Sequence, residues 1–230
     1  MVRARTSRSE SGYTLDMAQQ SNTGVVIFDH PLIAHKLATI RNKETGHRTF
    51  RAALAQIAGL MVYEVTRSLP TESIEVETPM VTTRCTVLSG TITIVPVLRA
   101  GLGMIDGILK VMPEARVGHL GLARDEQTLE PHAYLNKLPA DLDSGPVILV
   151  DPMLATGGSA SAALTMLRQA GASDIRMICL VAAPEGIERL VKDHPDVTIY
   201  AAALDDRLNE KGYIMPGLGD AGDRMYGTVN

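Results

Sequence analysis

A chain of 230 residues with 45% hydrophobic content, no tryptophan and two phenylalanines can bury one substantial aliphatic core and little more. Its net charge of −4 and pI near 5.9 exclude the basic footprint that nonspecific nucleic-acid binding needs. No apolar run approaches the ~20 residues of a membrane span, and Cys85 and Cys179 have neither metal spacing nor the density of a disulfide framework; the expectation is a cytoplasmic α/β domain that binds neither nucleic acid nor membrane.

Residues 1–23 are polar, begin with Arg3, Arg5 and Arg8, and lack an apolar stretch; they read as a mobile tail ahead of a domain over 24–230. His30-Pro31-Leu32 then opens a helix, and Phe50, Ala53, Leu54, Ile57, Leu60, Met61 and Val65 recur at the helical period. These helices read as a hood or an interface. Residues 73–88 alternate around Thr78-Pro79 and predict an antiparallel hairpin. Strands follow at about 91–97, 116–122, 147–150, 176–181 and 197–202, with helices near 102–110, 159–170 and 184–192. That rhythm predicts a doubly wound, mainly parallel sheet. Residues 124–144, polar and with two prolines, fall where a helix is expected and read as a flexible flap.

In such a sheet, ligands lie beyond the carboxyl ends of the strands. Arg99 follows the first parallel strand, in LRAGLGM (98–104), where glycines let backbone N–H groups approach an anion. By residue type alone Arg99 suits an ion pair; its strand-end position favours a phosphate group. Arg124, heading the flap, reads the same way. The richest segment is VILVDPMLATGGSA (147–160): a buried strand, Asp151 at its end, then a small-residue turn into a helix closed by Gly171. Thr156 to Ser159 can aim backbone N–H groups and two hydroxyls at one point, where the helix N-terminus favours an anion. Alone, TGGS is equally a tight turn with a capping serine. Asp151, five residues upstream of Thr156, is placed to accept from vicinal sugar hydroxyls and favours a phosphate cradle. Finally, GYIMPGLGDAGDR (212–224) carries four glycines and a proline in thirteen residues, an irregular backbone able to read the edge of a flat ligand.

Other nucleotide motifs fail. A Walker loop needs Gly-Lys before Ser or Thr, and no Gly-Lys occurs. Residues 217–222 match GxGxxG, but only eight residues follow, too few for a βαβ unit. The six histidines form no HxxxH or HExxH pair, so a protein-only zinc site is not expected.

The motifs 98–104, RDEQTLEP (124–131), VDPMLATGGS (150–159), VAAPEGIE (181–188) and 212–224 together resemble the uracil phosphoribosyltransferase family, from about Val25 onward. The resemblance implies a type I phosphoribosyltransferase fold with a flexible flap and a small hood, and pyrimidine salvage chemistry: uracil and 5-phosphoribosyl 1-diphosphate (PRPP) give UMP and diphosphate, with Mg²⁺. It implies that Ala155, Thr156, Gly157, Gly158 and Ser159 hold the ribose 5-phosphate, Asp151 the ribose hydroxyls, and Arg99 and Arg124 the diphosphate. Backbone groups at Ile214, Gly219 and Ala221 would recognise uracil, with Asp220 beside the reacting nitrogen and PRPP; Arg99 and Asp220 are the catalytic candidates. Mg²⁺ is expected mainly on PRPP oxygens and water, as its hydration favours. A homo-oligomer, dimer or tetramer, is implied, with the apolar N-terminal helices as candidate interface. Two features depart from wider or family patterns: Asp151-Pro152 replaces the two adjacent acids of many relatives in the superfamily, and Ala123 stands where an aromatic is expected. A PRPP-binding regulator would need a basic nucleic-acid face, and a purine transferase a larger, aromatic-stacked pocket; this chain offers neither signal.

Overall fold

The computed structural model describes residues 24–124 and 131–228, so the predicted tail lies outside the described residues. A short strand, β1 (Val25–Ile27), leads into α1 (Pro31–Arg41), where Pro31 takes the first helical turn and the His30 ring accepts from Leu32 N at 3.1 Å. Helix α2 (His47–Val65) buries Phe50, Leu54, Ile57, Met61 and Val65 on one stripe. The hairpin β2 (Thr71–Glu77) and β3 (Thr82–Leu88) pairs in register from Thr71↔Leu88 to Glu77↔Thr82 and forms a sheet of its own.

The main sheet begins with β4 (Thr93–Leu98), followed by α3 (Leu102–Leu109). The strand predicted over 116–122 is divided at Gly118 into β5 (Arg116–Val117) and β6 (His119–Arg124). Part of the expected loop is ordered strand: β7 (Pro131–Lys137) runs antiparallel to β6, with a bulge at Gly121/Leu122. Gly121 permits this pairing, since a Cβ there would fall 2.5 Å from the Tyr134 ring. Residues 125–130, between the two strands, lie outside the described residues. After a 3-10 turn (Leu142–Ser144) come β8 (Val147–Val150), β9 (Met153–Leu154), α4 (Gly158–Gln169), β10 (Ile175–Ala182), α5 (Pro184–Asp193) and β11 (Thr198–Leu204). Two short strands, β12 (Arg207–Leu208) and β13 (Ile214–Met215), and α6 (Ala221–Tyr226) close the chain.

The sheet runs β1-β11-β10-β8-β4-β6-β7, parallel from β1 through β6. β8 and β10 are buried along their whole length, as strands covered on both faces must be. Their side chains alternate between two cores. Ile148, Val150, Ile178 and Leu180 face α1, α2, α3 and α6, while Val147, Leu149, Met177 and Cys179 face α4 and α5. Helix α2 is thus one covering layer of the sheet, and the hood is the end of α1 joined to the segment 205–226.

Candidate active site

Because the strands are parallel, β4, β8, β10 and β11 end on one side, and the residues after them share a crevice. Arg99 follows β4 and Asp151 follows the adjacent β8. Their loops close together only because residue 101 is glycine: a Cβ there would lie 2.6 Å from the Val150 carbonyl oxygen and 2.7 Å from that of Val97. Arg99, joined to Leu98 by a cis peptide, is exposed and lies 3.4 Å from Asp223 Oδ1, while its carbonyl accepts from the Tyr226 hydroxyl at 3.3 Å. Asp220 caps α6 by accepting from Asp223 N at 2.8 Å. The position a Cβ of Gly222 would occupy is 3.3 Å from Asp220 Oδ1 and 4.0 Å from Arg99 Nη2, so the two catalytic candidates flank Gly222. Arg124 ends β6, the other neighbour of β4; its side chain lies outside the described residues.

Ala155 and Thr156 form the bend before α4. The helix starts at Gly158, not Ser159, and Gly157 is its cap residue, left-handed at φ 75° and without a side-chain hydrogen bond. The serine-cap alternative is therefore set aside; Ser159 sits exposed in the first turn, whose leading N–H groups have no partner within the helix. The two glycines differ in kind. A Cβ at Gly157 would meet the Gly186 carbonyl oxygen and Leu190 Cδ1 at 3.0 Å each, because α5 buttresses the loop. A Cβ at Gly158 would meet only Arg189 Nη1 at 3.4 Å and Thr156 Oγ1 at 3.7 Å, ordinary contacts. Gly158 is buried, yet only these two side-chain ends lie near an added Cβ, so no backbone contact demands glycine there.

Asp151 is half-buried, and burial pushes its carboxyl up to about 7 against the opposing pull of the Met153 N–H at 3.2 Å. A raised value in the folded protein means that the proton is held near neutrality and that the anion forms only as pH rises through about 7. If the anion accepts from sugar hydroxyls, affinity for PRPP should fall as pH drops from 8 to 6, and Asp151→Asn should bind more weakly with a flatter profile. Identical pH profiles for the two proteins, which share the ligand's own titration, would contradict that role.

The Gly-rich segment is held from behind by Arg41 and Arg224, neither of which a sequence pattern singles out. Buried Asp205, directly after β11, accepts from Arg41 at 2.6 and 2.8 Å and from Gly217 N at 2.8 Å; Arg41 Nη1 also donates to Gly217 O at 2.8 Å. Arg224 donates to Leu218 O at 2.7 Å, to Asn42 O at 2.6 Å and to Ile40 O. Three donors satisfy the buried carboxylate. The strand-end rule that selected Asp151 also selects Asp205; Arg41, in another helix, gives no spacing signal. Ile214 is buried in β13, Gly217 and Gly219 have φ of 63° and 81°, and Ala221 begins α6, buried. Gly212 brings this segment to the cradle, a Cβ there falling 3.8 Å from Thr156 Cγ2. A cleft of about 440 Å³ opens between the α1–α2 turn and residues 216–219, lined in part by Arg41, His47 and Gly219.

The crevice thus joins the turn before α4, the strand-end Asp151, the strand-end Arg99 and the Gly-rich segment 212–222. The sequence profile of the uracil phosphoribosyltransferase family matches residues 26–228. A uracil phosphoribosyltransferase of Bacillus pumilus (strain SAFR-032) is 59% identical over 205 residues, covering 89% of this chain and 98% of its own. One from Clostridium perfringens (strain 13) is 59% identical over 200 residues, covering 86% and 96%. The solved structure of the AQ2163 protein from Aquifex aeolicus superposes with a TM-score of 0.84 at 41% identity, covering 88% of this chain and 97% of that one. With its parallel sheet, its strand-end site and near full-length similarity to these proteins, the chain belongs to the uracil phosphoribosyltransferase family.

Proposed function

We propose that the protein transfers the phosphoribosyl group of PRPP to uracil, releasing diphosphate and forming UMP. The observation that carries this is the cradle at 155–159 meeting the loop at 212–221 across Asp151, with Arg99 beside them. One end of PRPP seats on the helix N-terminus and the other at Arg99, with Arg124 joining from the flap, so the ribose is stretched between fixed points. As the C1–O bond to diphosphate loosens, the ribose takes on oxocarbenium character and negative charge collects on the leaving group. Arg99 stabilises that charge where it develops. The Asp220 carboxylate, beside Arg99, orients the N1 side of uracil and can accept its proton.

Mg²⁺ fits the oxygen-rich character of the crevice, where the Asp151 and Asp220 carboxylates are hard donors. PRPP oxygens and water are its principal ligands, as the hydration of this ion favours. When bound, the ion supplies neutralisation of diphosphate charge. Formation of UMP from uracil and PRPP, abolished by chelation and restored by Mg²⁺, tests the assignment; turnover of another base with uracil untouched would overturn it.

Among the described residues no helix is long and apolar enough to cross a membrane. We also propose a homo-oligomer. Most apolar residues of α1 and α2 lie in the core, with Leu32 and Tyr63 left exposed, and further support comes from the β2–β3 hairpin, a two-stranded sheet exposed along most of its length with Ile74, Met80 and Val81 outward. Isolated hairpins are marginal in water and call for cover. A sedimentation mass equal to one chain would contradict it.

A further inference from the structure

Helix α5 does more than buttress the cradle. Arg189 leaves it one residue before Leu190, its Cβ lying 3.3 Å from the Cβ position of Gly157 and its Nη1 3.4 Å from that of Gly158. The stem therefore runs along the loop and the guanidinium ends beside Gly158, with Thr156 Oγ1 also near that residue. The arginine is tethered there. Its Nε lies 3.5 Å from Asp193 Oδ2, one helical turn on, and the same oxygen accepts from Ser161 Oγ at 2.9 Å. Ser161 belongs to α4, two residues beyond the cradle, and its hydroxyl is also 3.2 Å from His194 Nε2. Asp193 thus joins Arg189 to the helix whose N-terminus forms the anion site.

The Ser161, Asp193 and His194 grouping is not a nucleophilic triad. The Ser161 hydroxyl donates to the Asp193 carboxylate, and His194 Nε2 lies 3.1 Å from the Ser161 carbonyl oxygen, so the serine–imidazole–carboxylate order of a triad is not formed. Its work is to pin α4 to α5.

We propose that Arg189 is a further ligand of the ribose 5-phosphate, a guanidinium that closes the otherwise backbone-built cradle from the α5 side. The proposal rests on the cradle being the 5-phosphate site. Backbone N–H groups at a helix N-terminus supply partial charges; a phosphate monoester carries nearly two negative charges at neutral pH, and a planar guanidinium matches its oxygens in pairs. Arg189 is about half exposed, as a side chain at the rim of an open site must be. With the phosphate seated, it exchanges water for an anion. The diphosphate end, at Arg99, is served by different elements, so this contact discriminates a phosphorylated from an unphosphorylated ribose and leaves the base end alone.

The test compares UMP and uridine as ligands of the complete protein, together with PRPP kinetics. Arg189→Ala should weaken UMP and raise KM for PRPP by about tenfold, the scale of one charge-assisted hydrogen bond at a partly exposed site. Uridine affinity, KM for uracil and kcat should stay within twofold. Arg189→Lys, which keeps the charge without the fork, should recover part of the loss. Equal weakening of UMP and uridine would mean that Arg189 merely props the loop, and unchanged UMP binding in a folded Arg189→Ala would remove it from the site; either result overturns the proposal. If wild-type protein itself does not prefer UMP to uridine, the cradle assignment fails first, and the two failures are told apart.

Discussion

Gly158→Val is expected to fold with a nearly unchanged melting temperature and to lose PRPP affinity by about a hundredfold or more. The first half follows from the space at residue 158, where an added Cβ meets only the tips of Arg189 and Thr156 at ordinary distance; at this first helical residue valine is no poorer a helix former than the glycine it replaces. The second half follows from what that space is for. A phosphate must come within hydrogen-bonding reach of several backbone N–H groups, and a branched side chain on that face holds it away from them. Two charge-assisted contacts at ~1.5–3 kcal/mol each account for the loss. The neighbouring glycine gives the contrast. Gly157→Val should depress the melting temperature itself, since residue 157 is left-handed and a Cβ there presses on the Gly186 carbonyl. PRPP titrations and thermal melts of both variants decide the matter: a folded Gly158→Val with wild-type PRPP affinity would place the 5-phosphate elsewhere.

The largest expected discrimination is between bases. If backbone groups at Ile214 and 219–221 read the pyrimidine edge, they must meet an acceptor at O4 and a donor at N3, and cytosine reverses both. Buried donors would then face donors, a mismatch worth on the order of ten-thousandfold in kcat/KM. The segment cannot adjust to relieve it. The Arg41–Asp205 pair holds Gly217 at both its N–H and its carbonyl, and Arg224 ties Leu218 to the end of α1. 5-Fluorouracil presents the same edge with one small added atom and should remain a substrate. Competition assays giving cytosine and uracil comparable kcat/KM would sink backbone readout even with the phosphoribosyl chemistry established.

Much of this architecture was legible along the chain. The β-branched runs at 147–150 and 176–181, the helical stripe from Phe50 to Val65, and Asp151 followed by Thr156-Gly157-Gly158 are local patterns, and burial on a sheet or helix face imposes a period that sequence displays directly. The strand-end rule then turned those strands into a crevice. What the tertiary structure decided are matters of meeting. That 131–137 pairs with β6 depends on Gly121 accommodating Tyr134, a cross-strand fit with no period of its own. Arg41 meets Asp205 across 164 residues, and Arg224 meets Ile40 across 184. Gly157 and Gly158 look alike in sequence, yet one is required by backbone conformation and by α5 while the other leaves room for a ligand. Periodicity records which face of an element is buried; it carries no record of which distant side chain arrives there, because that is set only when the sheet brings the strand ends side by side.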